Sequence, residues 1–327
     1  MTRHIPVLLE EVKESLYLQN GMVIVDATLG GGSHTRMMLG EVLPTGTVVA
    51  LDTDKEALIQ FEKRASSDDV LKQALTEKRL ILVQRNYSAL AEVLAELGID
   101  QVQGILADLG FSSDQIESAD RGLSFQENGP LDMRLNQEQG MTAREIVAEY
   151  SFEALTKLFR EYGDESEAKR IAEAIIARRM EAPIETTHDL ATLIADAYPK
   201  RKRASSVRPG SRQGRIHPAT KTFQALRIAV NQEFDHLEQF LLQAIECLSP
   251  AGRLAVISFH SGEDRRVKDC FREQARGCIC PPNFPVCRCG QVPRIRLVTK
   301  KPIMAGEKEC SENPRARSAK MRVIEKV

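Results

Sequence analysis

Residues 25–35 read VDATLGGGSHT, an apolar run that meets an acid, passes through three consecutive glycines and turns polar. Glycine at a strand-to-helix turn lets the chain adopt positive φ and lets a ligand approach the backbone. The dinucleotide fingerprint G-x-G-x-x-G is not met, because Gly30 and Gly32 are followed by Thr35 where a third glycine belongs, and no G-K-[ST] follows for a phosphate loop. A pyrophosphate is therefore disfavoured at this turn.

Working outward, apolar strand-like runs at 22–25, 47–51, 80–83 and 102–107 alternate with amphipathic stretches. That rhythm predicts βα units in a parallel sheet. The second run ends in LDTD, where the Asp52 carboxylate can accept from both hydroxyls of a ribose. The third runs into RNYS, which offers Tyr87 to line an adenine, and the fourth into ADLGFSS, which presents Asp108. All four turns fall at carboxyl ends of predicted strands, where open α/β sheets bind ligands. An adenosine without phosphates suits them, and S-adenosylmethionine is the common one. The alternative is a tight glycine turn with Asp52 as a helix cap.

The chain has 327 residues, 42% hydrophobic and 28% charged, with a formal net charge of −1. That length exceeds the usual single domain, and any nucleic-acid surface has to be a local patch. Glu10 and Glu11 stand where a secretory leader would stay apolar, and no apolar run approaches the roughly 18 residues of a membrane span, so a cytoplasmic location is expected. Strand signal fades between 115 and 216, where helix-like pieces at 152–162, 166–179 and 189–198 predict a helical domain inserted into the α/β domain. The boundaries read from the sequence are 1–115, 116–216 and 217–327. Beyond the insertion, Phe223, Leu226, Ile228, Val230, Phe234 and Leu237 recur near helical spacing, AGRLAVISF supplies a buried strand, and PRIRLVTKKP and SAKMRVIEKV supply two closing strands.

The insertion ends in a basic run with Lys200, Arg201, Lys202, Arg203, Arg208, Arg212, Arg215 and then Lys221, a plausible grip on an RNA backbone or a merely solvated charge run. Seven cysteines crowd toward the C-terminal end. Four of them, Cys278, Cys280, Cys287 and Cys289 in CICPPNFPVCRC, are spaced C-x-C-x₆-C-x-C and read either as a structural zinc site or as reduced thiols in a loop.

HIPVLLEEV, DATLGGGSHT, DLGFSSDQ, DRGLSF, GPLDMRLN, HPATKTFQALRIAVNQE, ISFHSGEDR and NPRARSAKMRV, taken in order, resemble the bacterial small-subunit ribosomal RNA cytosine-N4-methyltransferases, the RsmH/MraW family. The resemblance covers nearly the whole chain. It implies a class I S-adenosylmethionine-dependent methyltransferase, a Rossmann-like α/β fold with an inserted helical substrate-recognition domain. It also implies cofactor contacts from Gly32, Ser33, His34, Asp52, Tyr87, Asp108 and Gln115, beside Gly30 in the same turn. The implied partner is small-subunit ribosomal RNA near the decoding site; a homodimer stays open. Ser33 stands where the family more often has glycine, Tyr87 where it has phenylalanine, Asp114 where it has proline and Gly262 where it has leucine.

A cytosine amine is a poor nucleophile, because its lone pair is delocalised into the ring, so acceptors near its N–H bonds favour the attacking form. Asp108 can accept from that amine or from the cofactor's amino-acid end, and the resemblance favours the cofactor. No cysteine follows the fourth strand, which disfavours the covalent route to ring carbon. SFHSGEDR offers Phe259 to stack on a base and His260 or Asp264 to receive a proton, or else a helix start capped by Ser261. GPLDMRLN reads as a loop whose Arg134 grips phosphate or as one packed on its own domain.

Overall fold

The computed structural model describes residues 6–111, 119–137, 140–199, 217–278, 280, 286 and 288–327. The expected positions Gln115, Lys200, Arg201, Lys202, Arg203, Arg208, Arg212, Arg215 and Cys287 lie outside the described residues.

In chain order the elements are α1 (Leu9–Leu16), β1 (Val23–Asp26), α2 (Ser33–Val42), β2 (Thr47–Asp52), α3 (Lys55–Ala65), α4 (Asp69–Thr76), β3 (Leu80–Gln84), α5 (Leu90–Glu96) and β4 (Val102–Asp108). Then come α6 (Ala143–Glu149), α7 (Phe152–Gly163), α8 (Ala168–Glu181), α9 (Thr187–Ala197) and α10 (Thr220–Val230). The chain closes with α11 (Glu233–Cys247), β5 (Leu248–Ser258), α12 (Ser261–Gln274), β6 (Ile295–Leu297), α13 (Glu307–Glu312) and β7 (Lys320–Lys326).

The strands form one seven-stranded sheet in the order β3-β2-β1-β4-β5-β7-β6, with β1 to β5 parallel and β7 antiparallel to both its neighbours. Side chains alternate across a sheet, so each strand feeds two cores. Ile24, Val48, Ala50, Leu106, Ala255 and Ile257 pack under α1 to α4 on one face. Val25, Val49, Leu51, Ile105, Ala107 and Val256 pack under α5, α11 and α12 on the other. Both faces are covered, which is why these strands read as continuous apolar runs. β1 lies between β2 and β4, and the pairings Asp26↔Ala50 and Asp26↔Leu106 place Asp52 and Asp108 one pleat beyond Asp26.

The chain divides into two compact units, one made of 3–111 with 234–327 and the other of 112–233. The insertion therefore ends at Glu233 rather than at 216. The apolar spacing through Phe223 and Leu237 runs across two helices, broken where Gln232 takes φ +48°. α10, read as part of the α/β domain, belongs to the insertion. It lies so close to α7 that a Cβ on Gly163 would stand 2.6 Å from the Lys221 carbonyl oxygen. Lys221, expected in the basic grip, donates from Nζ to the Asp164 carbonyl at 2.8 Å. Phe125 meets the His217 ring at a tilt and the Phe223 ring edge-on, with centroids at 4.7 and 4.9 Å.

The GPLDMRLN loop follows the packed reading. Leu131 and Met133 are buried, and the Leu131 and Asp132 carbonyls accept from Arg144 and Ala143. Arg134 Nε and Nη2 donate to the two oxygens of Asp132 at 2.9 and 2.8 Å, a fork that engages the guanidinium within its own loop. Among the described residues no helix is long and apolar enough to cross a membrane.

Candidate functional site

The site gathers at the carboxyl ends of β1, β2, β4 and β5. After β1 the chain turns through Gly30 and Gly32, whose φ values are +46° and +75°. The two glycines serve different needs. A Cβ on Gly30 would meet only the Thr28 carbonyl oxygen, at 3.9 Å, so that side of the turn is open. A Cβ on Gly32 would stand 2.2 Å from Phe61 Cε2 in α3, so there the close approach comes from the protein's own ring. Gly32 is the residue before α2, and no side chain caps that helix; Ser33 opens its first turn, whose amides suit a carboxylate.

Asp52 holds the turn from the neighbouring strand. Its Oδ2 accepts from Gly30 N–H at 3.0 Å and its Oδ1 from Asp54 N–H at 2.9 Å. The capping role falls to Asp54, whose Oδ1 accepts from Glu56 N–H at the start of α3.

Asp26, which the sequence reading passed over, is the centre of the arrangement. Fully buried, it accepts from Thr35 Oγ1 at 2.5 Å and from Thr28 N–H at 3.2 Å. Thr28 Oγ1 in turn accepts from Asp108 N–H at 2.7 Å, so one threonine joins the ends of β1 and β4. His34 donates from Nε2 to the Val7 carbonyl at 3.0 Å, which fixes the tautomer, because a carbonyl can only accept. Its Nδ1 faces Asp108 Oδ2 at 3.7 Å. Burial holds the His34 pKa below the usual value, against the pull of Asp26, so the ring is neutral at neutral pH.

Three carboxyls at the ends of three adjacent strands are all pushed up. Burial raises Asp26 to about 6, against the Thr35 hydrogen bond, and raises Asp52 to about 6, against the amides of Asp54 and Gly30. Burial raises Asp108 to about 7, with Arg315 opposing and Glu263 reinforcing. Asp108 Oδ1 is buried and has no hydrogen-bond partner. Ionising this trio without a partner is costly, and a cationic ligand offsets that cost.

The loop after β4 is fastened from the C-terminal segment. Gly110 takes φ +106°, and a Cβ there would meet Phe259 at 3.4 Å. Arg315 donates to the Phe111 carbonyl at 2.6 Å, and its guanidinium lies 5.6 Å from the Phe259 ring centre. Tyr87 opens a short 3₁₀ turn after β3 and packs edge-on against Phe240 at 5.2 Å, so at least one edge of its ring serves the core.

The SFHSGEDR segment starts α12, with His260 rather than Ser261 as its cap. His260 Nδ1 accepts from Glu263 N–H at 3.4 Å, while Glu263 Oε2 accepts from the N–H groups of Phe259 and His260 at 2.9 and 3.2 Å. His260 Nε2 lies 3.1 Å from Glu263 Oε1, out of line for a hydrogen bond. His260 thus has a structural task as the cap of α12. Asp264 is taken too: burial acts to raise it, but Arg322, donating at 2.6 Å, together with Lys320 holds its carboxyl below the usual range. Gly262 leaves the space filled by Phe234, whose ring would lie 2.7 Å from a Cβ.

A family model described as the MraW methylase family matches residues 1–327. The chain is 45% identical over 324 residues to "Ribosomal RNA small subunit methyltransferase H" of Geobacter sp. (strain M21), covering 99% of this chain and 98% of that protein. It is 46% identical over 325 residues to the protein of the same name from Syntrophotalea carbinolica, again covering 99% and 98%. Among solved structures, an rRNA methylase from Streptococcus thermophilus aligns with 98% of this chain and 92% of that one, at 10% identity and a TM-score of 0.39.

Proposed function

Because this chain belongs to the MraW methylase family, we propose that it transfers a methyl group from S-adenosylmethionine to the N4 amine of a cytosine in the decoding region of small-subunit ribosomal RNA. The observation that carries the cofactor reading is the trio Asp26, Asp52 and Asp108 around an open glycine turn. S-Adenosylmethionine bears a sulfonium and an ammonium, the charges such a trio favours, and a carboxylate suited to the uncapped start of α2. When bound, it supplies an electrophilic methyl group.

The chain's own residues then hold and orient. Asp52 and the Gly30 N–H fix the edge that takes the ribose. Asp108, with an unpartnered oxygen and a pKa of about 7, is the acidic group of the site left with capacity to accept an N–H or hold a proton near neutrality. His260 is engaged in the α12 capping box and Asp264 in its pair with Arg322, which favours Asp108 as the acceptor in this proposal. Leu109, Gly110 and Phe111 follow β4, so no thiol stands there for attack on ring carbon. Gly30, Gly32, Ser33, His34 and Tyr87 complete the cofactor side of the proposal, and Phe259 the base side. RNA contact by the basic run, a cytoplasmic location and a homodimer are further parts of the proposal.

Asp52→Ala takes the acceptor from two backbone amides and from the ligand. Hydrogen bonds to a charged group are worth roughly 1.5–3 kcal/mol, so calorimetric affinity for the cofactor should fall about 10- to 150-fold. Unchanged affinity in a folded variant removes Asp52 from the site.

The function itself is tested by incubating purified small subunits with labelled cofactor and analysing the digested RNA. N4-methylcytidine is expected and enzyme-dependent 5-methylcytidine is not. Assembled subunits should outperform a short oligonucleotide carrying the same cytosine, because reaching the amine requires the base to leave its stack within folded RNA. Label found only on ring carbon, ribose or protein overturns the acceptor assignment.

A further inference from the structure

The connection from α12 to β6 spans residues 275–294. None of its described residues is buried, and Val286 and Val292 are 67% and 70% exposed. The described part of the connection has no apolar anchor, so it needs some other source of order. Three thiols supply a candidate. The sulfurs of Cys278, Cys280 and Cys289 all lie within 4.8 Å of one another, and those of Cys278 and Cys289 are 3.7 Å apart. A tetrahedral zinc with Zn–S bonds of about 2.3 Å has ligand sulfurs about 3.8 Å apart, so this pair already spans one edge of the figure.

Backbone amides around the thiols point at the sulfurs. Cys280 N–H donates to Cys278 Sγ at 3.4 Å, Gln291 N–H to Cys289 Sγ at 3.5 Å, and Arg288 N–H to Cys280 Sγ at 3.3 Å. In the first two the donor lies two residues after its cysteine, a turn repeated in both halves of the sequence pattern; Gly290, at φ +63°, permits the second. Each sulfur thus receives an amide hydrogen, so backbone donors face all three.

We infer that Cys278, Cys280 and Cys289 hold a structural zinc ion that fastens the α12–β6 connection. Thiolate ligands select zinc over the hard cations. Binding exchanges the thiol protons for three Zn–S bonds, with no change of oxidation state. No step of the proposed methyl transfer uses the ion; its work is to order a connection that leads into the outermost strand of the sheet.

The test uses the full-length protein purified without chelator and under reducing conditions. Elemental analysis should find close to one zinc per chain, released when the thiols are modified. Cobalt substituted for zinc should give sulfur-to-metal charge-transfer absorption and intense visible bands of a tetrahedral site. Cys278→Ser and Cys289→Ser should each lose the metal and lower the melting temperature, whereas Cys310→Ser should retain both. Should the serine variants fail to fold, the metal content and the cobalt spectrum of the unaltered chain still decide the matter. Metal-free protein of full stability, no cobalt–thiolate bands, or a disulfide between Cys278 and Cys289 in the reduced preparation overturns the assignment.

Discussion

Asp108→Asn is expected to abolish methyl transfer and, at pH 8, to make the ligand-free protein more stable. Burial lifts the Asp108 carboxyl to about 7, while in the unfolded chain it ionises near the ordinary aspartate value of 3.8. Below the lower value both states hold the proton and the group contributes no difference. As pH rises toward 7 the unfolded state releases its proton first, so folding is opposed progressively, and above 7 the penalty is complete. Asparagine does not titrate and keeps the shape. At about 1.4 kcal/mol per unit, its advantage over aspartate should grow by roughly 2–3 kcal/mol between pH 5 and pH 8. Over the same change, activity on small subunits should drop at least about 100-fold, the loss typical of a group that handles a proton or a developing charge. Denaturant midpoints at the two pH values and initial rates check the two halves separately. A stability difference independent of pH would mean that Asp108 ionises freely in the native chain; full activity in the variant would take its carboxylate out of the reaction.

The stability cost is the counterpart of the site's charge preference. Asp26, Asp52 and Asp108 end β1, β2 and β4, and burial makes each costly to ionise, at Asp108 in spite of Arg315. Their placement also explains a regular error in reading the sequence. The predicted strands stop at 25, 51 and 107, whereas the observed ones end at Asp26, Asp52 and Asp108. Apolar patterning ends a strand where polarity begins, but the backbone ladder runs on and carries the acid to the rim of the sheet. Asp52 and Asp108 were still recognised, because an acid in a loop invites the question of what it binds. Asp26, hidden by its bonds to Thr28 and Thr35, resembled only the end of a run.

The sheet itself was legible because both of its faces are covered and its strands are apolar throughout. Contacts between distant segments were not. Arg315 reaches the Phe111 carbonyl across 204 positions, and its motif carried no signal of where it would land. The end of the insertion was missed because α10 and α11 share one apolar rhythm, and only the backbone turn at Gln232 separates them. The sequence offers Ser261 as the cap of α12, but a ring nitrogen can cap a helix as an oxygen does, and His260 takes that place in a capping box with Glu263.

Gly32→Ala should be among the most damaging single-methyl changes in the α/β unit. Two costs add at this residue. Its φ of +75° is a conformation that an L side chain adopts at roughly 1–2 kcal/mol. The new methyl would also lie 2.2 and 2.3 Å from Cε2 and Cδ2 of Phe61, a ring 3% exposed within the α2–α3 core, and overpacking of that kind costs about 1–3 kcal/mol. The expected loss is roughly 2–5 kcal/mol, with weakened cofactor affinity because the turn that aligns Gly30 N–H on Asp52 has to shift. Gly98→Ala is the control: its φ is +69° but no atom lies within 4 Å of the added Cβ, so it should cost only the backbone part. Phe61→Ala separates the two costs. In that background the ring is gone, and Gly32→Ala should fall to the cost of Gly98→Ala, giving a coupling of about 1–3 kcal/mol between positions 32 and 61 in a double-mutant cycle read by denaturant unfolding. Equal costs at Gly32 and Gly98 in the unaltered background would mean that Gly32 is required for its φ alone and that Phe61 yields freely. The rigidity of the cofactor turn would then rest on Asp52 and not on the packing of α3 beneath it.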